Sequence, residues 1–171
     1  MRRWACPRSL SFSGRLSWLS PSSEGSSAGR RADEGGPLAV AALRAAGFDC
    51  PDAIIVPDGA DAVEDALRAA CAAGARLIVT TGGTGLSPRD QTPEGTDRVI
   101  ERTLPGIAEE LRRRGLDETP AAMLSRGRAG VVGDALIVNL PGSPRAVASG
   151  MPLIVAIAPH ALAQLDGGDH A

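Results

Sequence analysis

Three short segments of this 171-residue chain carry residues suited to phosphate chemistry. The first is Thr80-Thr81-Gly82-Gly83-Thr84-Gly85. Its glycines allow sharp turns that bare main-chain N–H groups, as an anion-binding nest requires, and Thr81 and Thr84 add hydroxyl donors. No Gly-Lys-Ser/Thr follows, and the spacing is not that of a dinucleotide fingerprint. The second segment, Leu86-Ser87-Pro88-Arg89-Asp90, ends in an acid. A carboxylate beside a phosphate is unfavourable unless a cation lies between them. Mg²⁺ suits that position, because it is held by few carboxylates plus phosphate oxygens. Asp58, in Val56-Pro57-Asp58, is a candidate second acid for the same ion. The third segment is Asn139-Leu140-Pro141-Gly142-Ser143-Pro144. Here Gly142 permits close backbone approach, Ser143 can cap a helix, and the prolines stiffen the loop. Arg89 and Arg145 either clamp phosphate or stand as exposed loop charges.

Such loops act only if secondary structure brings them together. Ala53–Val56, Leu77–Thr81 and Ala135–Leu140 are short runs of Ile, Leu and Val, which reads as strands buried on both faces. Helical spacing alternates with them. Pro37 opens a helix that Gly47 stops, and Asp61 can cap a second that Gly74 closes. Thr92-Pro93-Glu94 opens a third helix carrying Val99, Ile100 and Leu104, and a further segment runs from Ile107 to Arg114. Its Arg112-Arg113-Arg114 run reads as a solvated helix end. Pro120 to Arg126 is another short helix. Ala129–Gly133 and Ala135–Leu140 pair through a tight turn, and helical stretches follow at 145–148 and 153–165. The pattern predicts an α/β domain, a mostly parallel central sheet flanked by helices in a three-layer sandwich. Right-handed crossovers then bring Asp58, the Gly82–Asp90 segment and the Asn139–Pro144 loop to one sheet edge, where ligands bind in such folds.

Composition narrows the function. The chain is 43% hydrophobic with only 2% aromatic residues, so Ala, Val, Leu and Ile must build the core. Its 18 basic residues, all Arg, nearly balance 20 acids, which gives no electrostatic argument for nucleic acid or an anionic membrane. The longest apolar stretch, Leu153–Ala163, is broken by Pro159 and His160 and is too short to span a bilayer. Cys6, Cys50 and Cys71 are widely spaced and His160 and His170 have no ligand-spaced partners, which argues against a zinc site and for a reducing, cytoplasmic setting. Residues 1–30 hold nine Ser, five Arg and one acid, which fits a transit peptide, a disordered tail or a start that replaced the true first strand.

The segments in this order closely resemble the MoaB/Mog family of molybdenum-cofactor biosynthesis proteins. The likeness extends to Thr92-Pro93-Glu94, to Ala122-Met123-Leu124-Ser125-Arg126 and, upstream, to Ser23-Glu24, Ala28-Gly29, Asp33 and Gly36-Pro37. It covers about residues 23–165, with 23–166 as the domain, 1–22 as an atypical Ser/Arg-rich N-terminal segment, either disordered or a replaced first strand, and 167–171 as a tail. The resemblance implies molybdopterin binding, a homotrimer or dimer of trimers and, in Mog-type members, transfer of AMP from Mg-ATP to molybdopterin with release of pyrophosphate. A non-catalytic, MoaB-type carrier is the alternative it leaves open. It further implies metal-binding and catalytic roles for Asp58 and Asp90. Substrate contacts then fall to Thr81, Gly82, Gly83, Thr84, Gly85, Arg89, Ser125, Asn139, Pro141, Gly142 and Ser143, with Arg126 a weaker candidate. Two departures stand out. Where the family has an apolar first strand, this chain has Arg15-Leu16-Ser17-Trp18-Leu19-Ser20-Pro21-Ser22, and Glu24 replaces the family's usual Asp. Serines and a proline should weaken a central strand.

Overall fold

The apolar runs within Ala75–Thr81 and Ala135–Leu140 become two inner strands of one sheet. The computed structural model describes the backbone of residues 15–21 and all of residues 35–168. In chain order the elements are β1 (Arg15–Pro21), α1 (Gly35–Ala45), β2 (Ile54–Val56), α2 (Ala60–Ala72) and β3 (Ala75–Thr81). Then come α3 (Thr92–Asp97), β4 (Arg102–Thr103), α4 (Pro105–Leu116) and a 3-10 turn over Pro120–Leu124. The chain ends with β5 (Ala129–Val132), β6 (Ala135–Leu140) and α5 (Pro144–Leu165). Ser23, Glu24, Ala28, Gly29, Asp33, Cys6 and His170 lie outside the described residues, as do the readings that rest on them.

The sheet order is β2-β1-β3-β6-β5-β4. The first four strands are parallel, whereas β5 runs antiparallel to both β6 and β4. Alternate side chains of β3 and β6 face opposite layers, as a period of two requires. Leu77, Val79, Leu136, Val138 and Leu140 pack beneath α1, α4 and α5, while Ile78 and Ile137 pack against Val63 and Leu67 of α2. The architecture is thus the three-layer sandwich read from the sequence.

The Ser-rich stretch at 15–21, open in the sequence to a replaced first strand, is a strand with neighbours on both sides: Leu19 pairs with Ile54 of β2 and with Thr80 of β3. Pro21 stands at the last paired position, opposite Val56, where the ladder ends. β2 is therefore the edge, with Ile54 and Ile55 52% and 66% exposed rather than buried. Helix α2 is entered through Gly59 without a side-chain cap, and Asp61 instead pairs with Arg98 at 2.6 Å. Helix α3 stops at Asp97 because Glu101 and Leu104 donate their N–H groups to Val131 and Ala129 of β5, which draws the chain into β4.

The two predicted helical stretches are one 22-residue helix that runs through Pro152 and Pro159. Burial of Val147, Met151, Ile154, Ala158 and Leu162 along one face favours continuity over the backbone bonds that the prolines remove. By length and composition the helix is long and apolar enough to cross a bilayer. Here that face packs on the sheet and on α1.

Candidate functional site

Because β2, β3 and β6 are parallel, their carboxyl ends lie along one rim. β5 runs the other way, so its amino end, preceded by Ser125 and Arg126, reaches the same rim. A cavity of about 420 Å³ opens there. Gly82, Gly83, Thr84 and Gly85 line one side, Pro141, Gly142 and Ser143 another, and Leu111, Arg112 and Ala122 of α4 and the 3-10 turn a third.

The glycine loop is held by its neighbours. Gly82 and Gly83 have φ of 89° and 63°, in the left-handed region that disfavours side chains. Gly82 N–H donates to Leu140 O at 2.9 Å, and Thr92 N–H donates to Gly83 O at 3.1 Å. A Cβ on Gly142 would lie 3.1 Å from Gly82 Cα, so the two glycine loops touch main chain to main chain.

Asp90 lines the cavity, and its Oδ2 accepts Ser87 N–H at 3.0 Å, closing the loop on itself. Asp58 is not among the lining residues, although its loop is tied to that of Asp90: Ala60 N–H donates to Gln91 Oε1 at 3.0 Å. The two acids therefore share the rim, but only one reaches the cavity wall. Among the described residues no group of three or more His, Cys, Asp or Glu side chains converges. That donor set fits a Mg²⁺ ion carried in on phosphate oxygens, which needs one or two carboxylates, and does not fit a resident ion caged by protein.

Other predicted residues separate. Thr84, Ser125 and Ser143 line the cavity, and Ser125 Oγ lies 3.4 Å from Thr84 Oγ1. Ser143 also caps α5, accepting Ala146 N–H at 3.2 Å. Thr81 is buried at the end of β3 and Arg89 is exposed; neither lines the cavity. Asn139 lines it, but its side chain is committed to the scaffold. The amide donates to Thr80 Oγ1 at 2.9 Å and Thr96 Oγ1 at 3.0 Å, and its Oδ1 accepts Arg128 N–H at 3.0 Å.

The structure adds Arg112, which the sequence grouped with a solvated run. Arg113 and Arg114 do pair with Glu110, whose carboxyl is held down at about 2 by hydrogen bonds from Arg113 and then Arg114. Arg112 turns instead to the cavity, where its Nη1 makes only 3.4 Å contacts to the carbonyls of Ser125 and Gly127. Helical rotation separates three consecutive residues by about 100° each, a signal available in the sequence once the buried face of α4 is known.

The family model described as "Probable molybdopterin binding domain" matches residues 13–160. The molybdenum cofactor biosynthesis bifunctional protein of Synechococcus elongatus is 41% identical over 138 residues, which is 81% of this chain and 43% of that protein. The molybdopterin adenylyltransferase of Helicobacter pylori is 45% identical over 94 residues, 54% of this chain and 53% of that one. The chain thus spans about half or less of the length of the curated relatives it matches. The solved Mog protein from Mycobacterium ulcerans superposes with a TM-score of 0.81 at 41% identity, over 89% of this chain and 99% of that one. Loop order, shared fold and a family match over most of its length agree: the chain belongs to the MoaB/Mog family of molybdenum-cofactor biosynthesis proteins.

Proposed function

We propose that this protein is a molybdopterin adenylyltransferase that transfers AMP from Mg-ATP to molybdopterin. The observation that carries the reading is one cavity lined together by the glycine loop Gly82–Gly85, Asp90 and Arg112. In the reaction, an oxygen of the molybdopterin terminal phosphate bonds to the α-phosphorus of ATP as the bond to the pyrophosphate oxygen breaks. Adenylyl-molybdopterin and pyrophosphate are the products. A phosphate dianion is already nucleophilic near neutral pH, so the site needs no general base. Both reactants are anions, and charge neutralisation with in-line positioning supplies the rate.

The chain's own groups divide that work. Main-chain N–H groups of Gly83, Thr84 and Gly85 and the Arg112 guanidinium offset phosphate charge. The apolar wall formed by Leu111 and Ala122 lowers the local dielectric and so strengthens those contacts. Asp90, whose loop is tied to that of Asp58, is the carboxylate that would hold Mg²⁺. When bound, the ion would supply positive charge against the nucleotide phosphates.

Asp90→Ala should lower AMP transfer by on the order of a hundredfold or more, measured as pyrophosphate release with molybdopterin and Mg-ATP. Equal turnover by the variant and the parent chain would refute the assignment. A non-catalytic molybdopterin carrier is the second reading, and the absence of Asp58 from the cavity wall favours it. It predicts pterin binding with no ATP-dependent product.

The same proposal includes a homotrimer in the cytoplasm. An apolar groove between α1 and α5, lined by Leu38, Ala42, Met151 and Val155, supports self-association. The free thiols Cys50 and Cys71 suit a reducing compartment, and burial raises the pKa of both.

A further inference from the structure

We infer that Arg126 is a positioning residue, which locks the glycine loop and Asp90 into one rigid unit through a guanidinium shared among three acceptors. The inference deepens the proposed adenylyl transfer and rests on that reading for its kinetic consequences. Nε of Arg126 donates to Gly85 O at 2.8 Å. Nη1 donates to Glu94 Oε1 and Nη2 to the main-chain oxygen of Asp90. Its own N–H donates to Thr84 O at 2.9 Å. One residue, entering from the amino end of β5, therefore fixes both ends of the Gly85–Asp90 loop and the first turn of α3.

The planar fork is what makes this possible. A guanidinium presents donors in fixed directions and can reach three acceptors at once, whereas a lysine ammonium is a point charge on a flexible stem. Glu94 completes the brace. Hydrogen bonding from Arg126 keeps its carboxyl below the usual carboxylate range, so it is ionised at neutral pH. Its Oε2 is buried with no partner among the described residues, so Arg126 supplies the compensation for that charge. The arrangement differs from an ordinary surface ion pair, because two of the three acceptors are main-chain oxygens of the loop that carries the chemistry. Losing the brace should cost loop order before it costs the fold.

The test compares the full chain with Arg126→Lys, Arg126→Gln and the double variant Glu94→Gln/Arg126→Gln. The expected result in Arg126→Lys is amide hydrogen exchange about tenfold faster across residues 82–90, with exchange in α2 and β6 unchanged. In the same variant kcat should fall by on the order of tenfold to a hundredfold, while KM for molybdopterin changes by less than about threefold. Arg126→Gln should lower Tm, because it leaves Glu94 unpaired. The double variant should recover that Tm without recovering kcat. Unchanged loop exchange in folded Arg126→Lys, or recovery of kcat in the double variant, would overturn the inference. If the parent chain transfers no AMP, adenylyl transfer fails by itself and the exchange and Tm measurements still decide the brace.

Discussion

Arg112 shows how a single side chain changes meaning with its surroundings. In a run of three arginines it looks like its neighbours, yet Arg113 and Arg114 are paired with Glu110 while Arg112 lines the cavity. An arginine with only long contacts to carbonyls retains donors for an anion, and a charge-assisted bond to phosphate is stronger than those it would give up. Arg112→Gln should therefore raise the Kd for ATP, read by titration calorimetry, by about tenfold, corresponding to about 1.4 kcal/mol. Circular dichroism should show the same fold. An unchanged Kd would remove Arg112 from the binding site and leave the glycine loop as the anion receptor. Asn139 makes the opposite point. It lines the cavity as its segment leads one to expect, yet its side-chain amide is spent on Thr80 of β3 and Thr96 of α3, tying strand to helix beside that cavity.

At the scale of elements, α3 is short and is placed by close approach rather than by its own stability. A Cβ on Gly95 would lie 2.6 Å from Ala60 O and 2.7 Å from Val63 Cβ, so α3 can sit against α2 only with glycine there. Both neighbours belong to rigid structure and cannot swing aside. Gly95→Ala should destabilise the protein by about 1–3 kcal/mol in urea unfolding. It should also weaken ATP binding, because α3 carries the Thr92 and Glu94 that hold Gly83 and Arg126. Wild-type stability in this variant would mean that α2 and α3 can separate freely. The helices themselves were legible where glycine and proline punctuate them, as in α1 and α2. α3 was overextended in the sequence reading, because apolar spacing through Val99 and Ile100 is equally compatible with an extended segment that bonds to a neighbouring strand.

For the whole molecule, the decisive feature is the seat of β1. Residues 15–21 stand between β2 and β3, so they supply hydrogen-bond partners to both. Removing residues 1–21 should expose the inner edge of β3 and detach β2 with Asp58. The expected outcome is loss of a single cooperative thermal transition and increased dye binding to exposed apolar surface. A truncated chain that unfolds in one transition at the parent temperature would show that four remaining strands suffice. This strand was hard to read beforehand. A strand that carries Ser17 and Ser20 and ends at Pro21 resembles a loop until its neighbours are known, since β-propensity mostly reports fit to a particular pleated surface.

The sequence by itself determined the alternation of helix and strand, the glycine-bearing loops, and the placing of Asp90 beside the first of those loops. Each of these follows from local chemistry: periodicity, backbone freedom and the charge balance of neighbouring residues. Only the tertiary structure decided which groups share the cavity, because that depends on strand order and direction. The antiparallel run of β5 brings Arg126 to the rim, the rotation of α4 turns Arg112 inward, and β2, at the sheet edge, carries an Asp58 that is not among the lining residues. Residues dozens of positions apart meet through pairings whose energies are summed over the whole sheet, and no local window contains that sum.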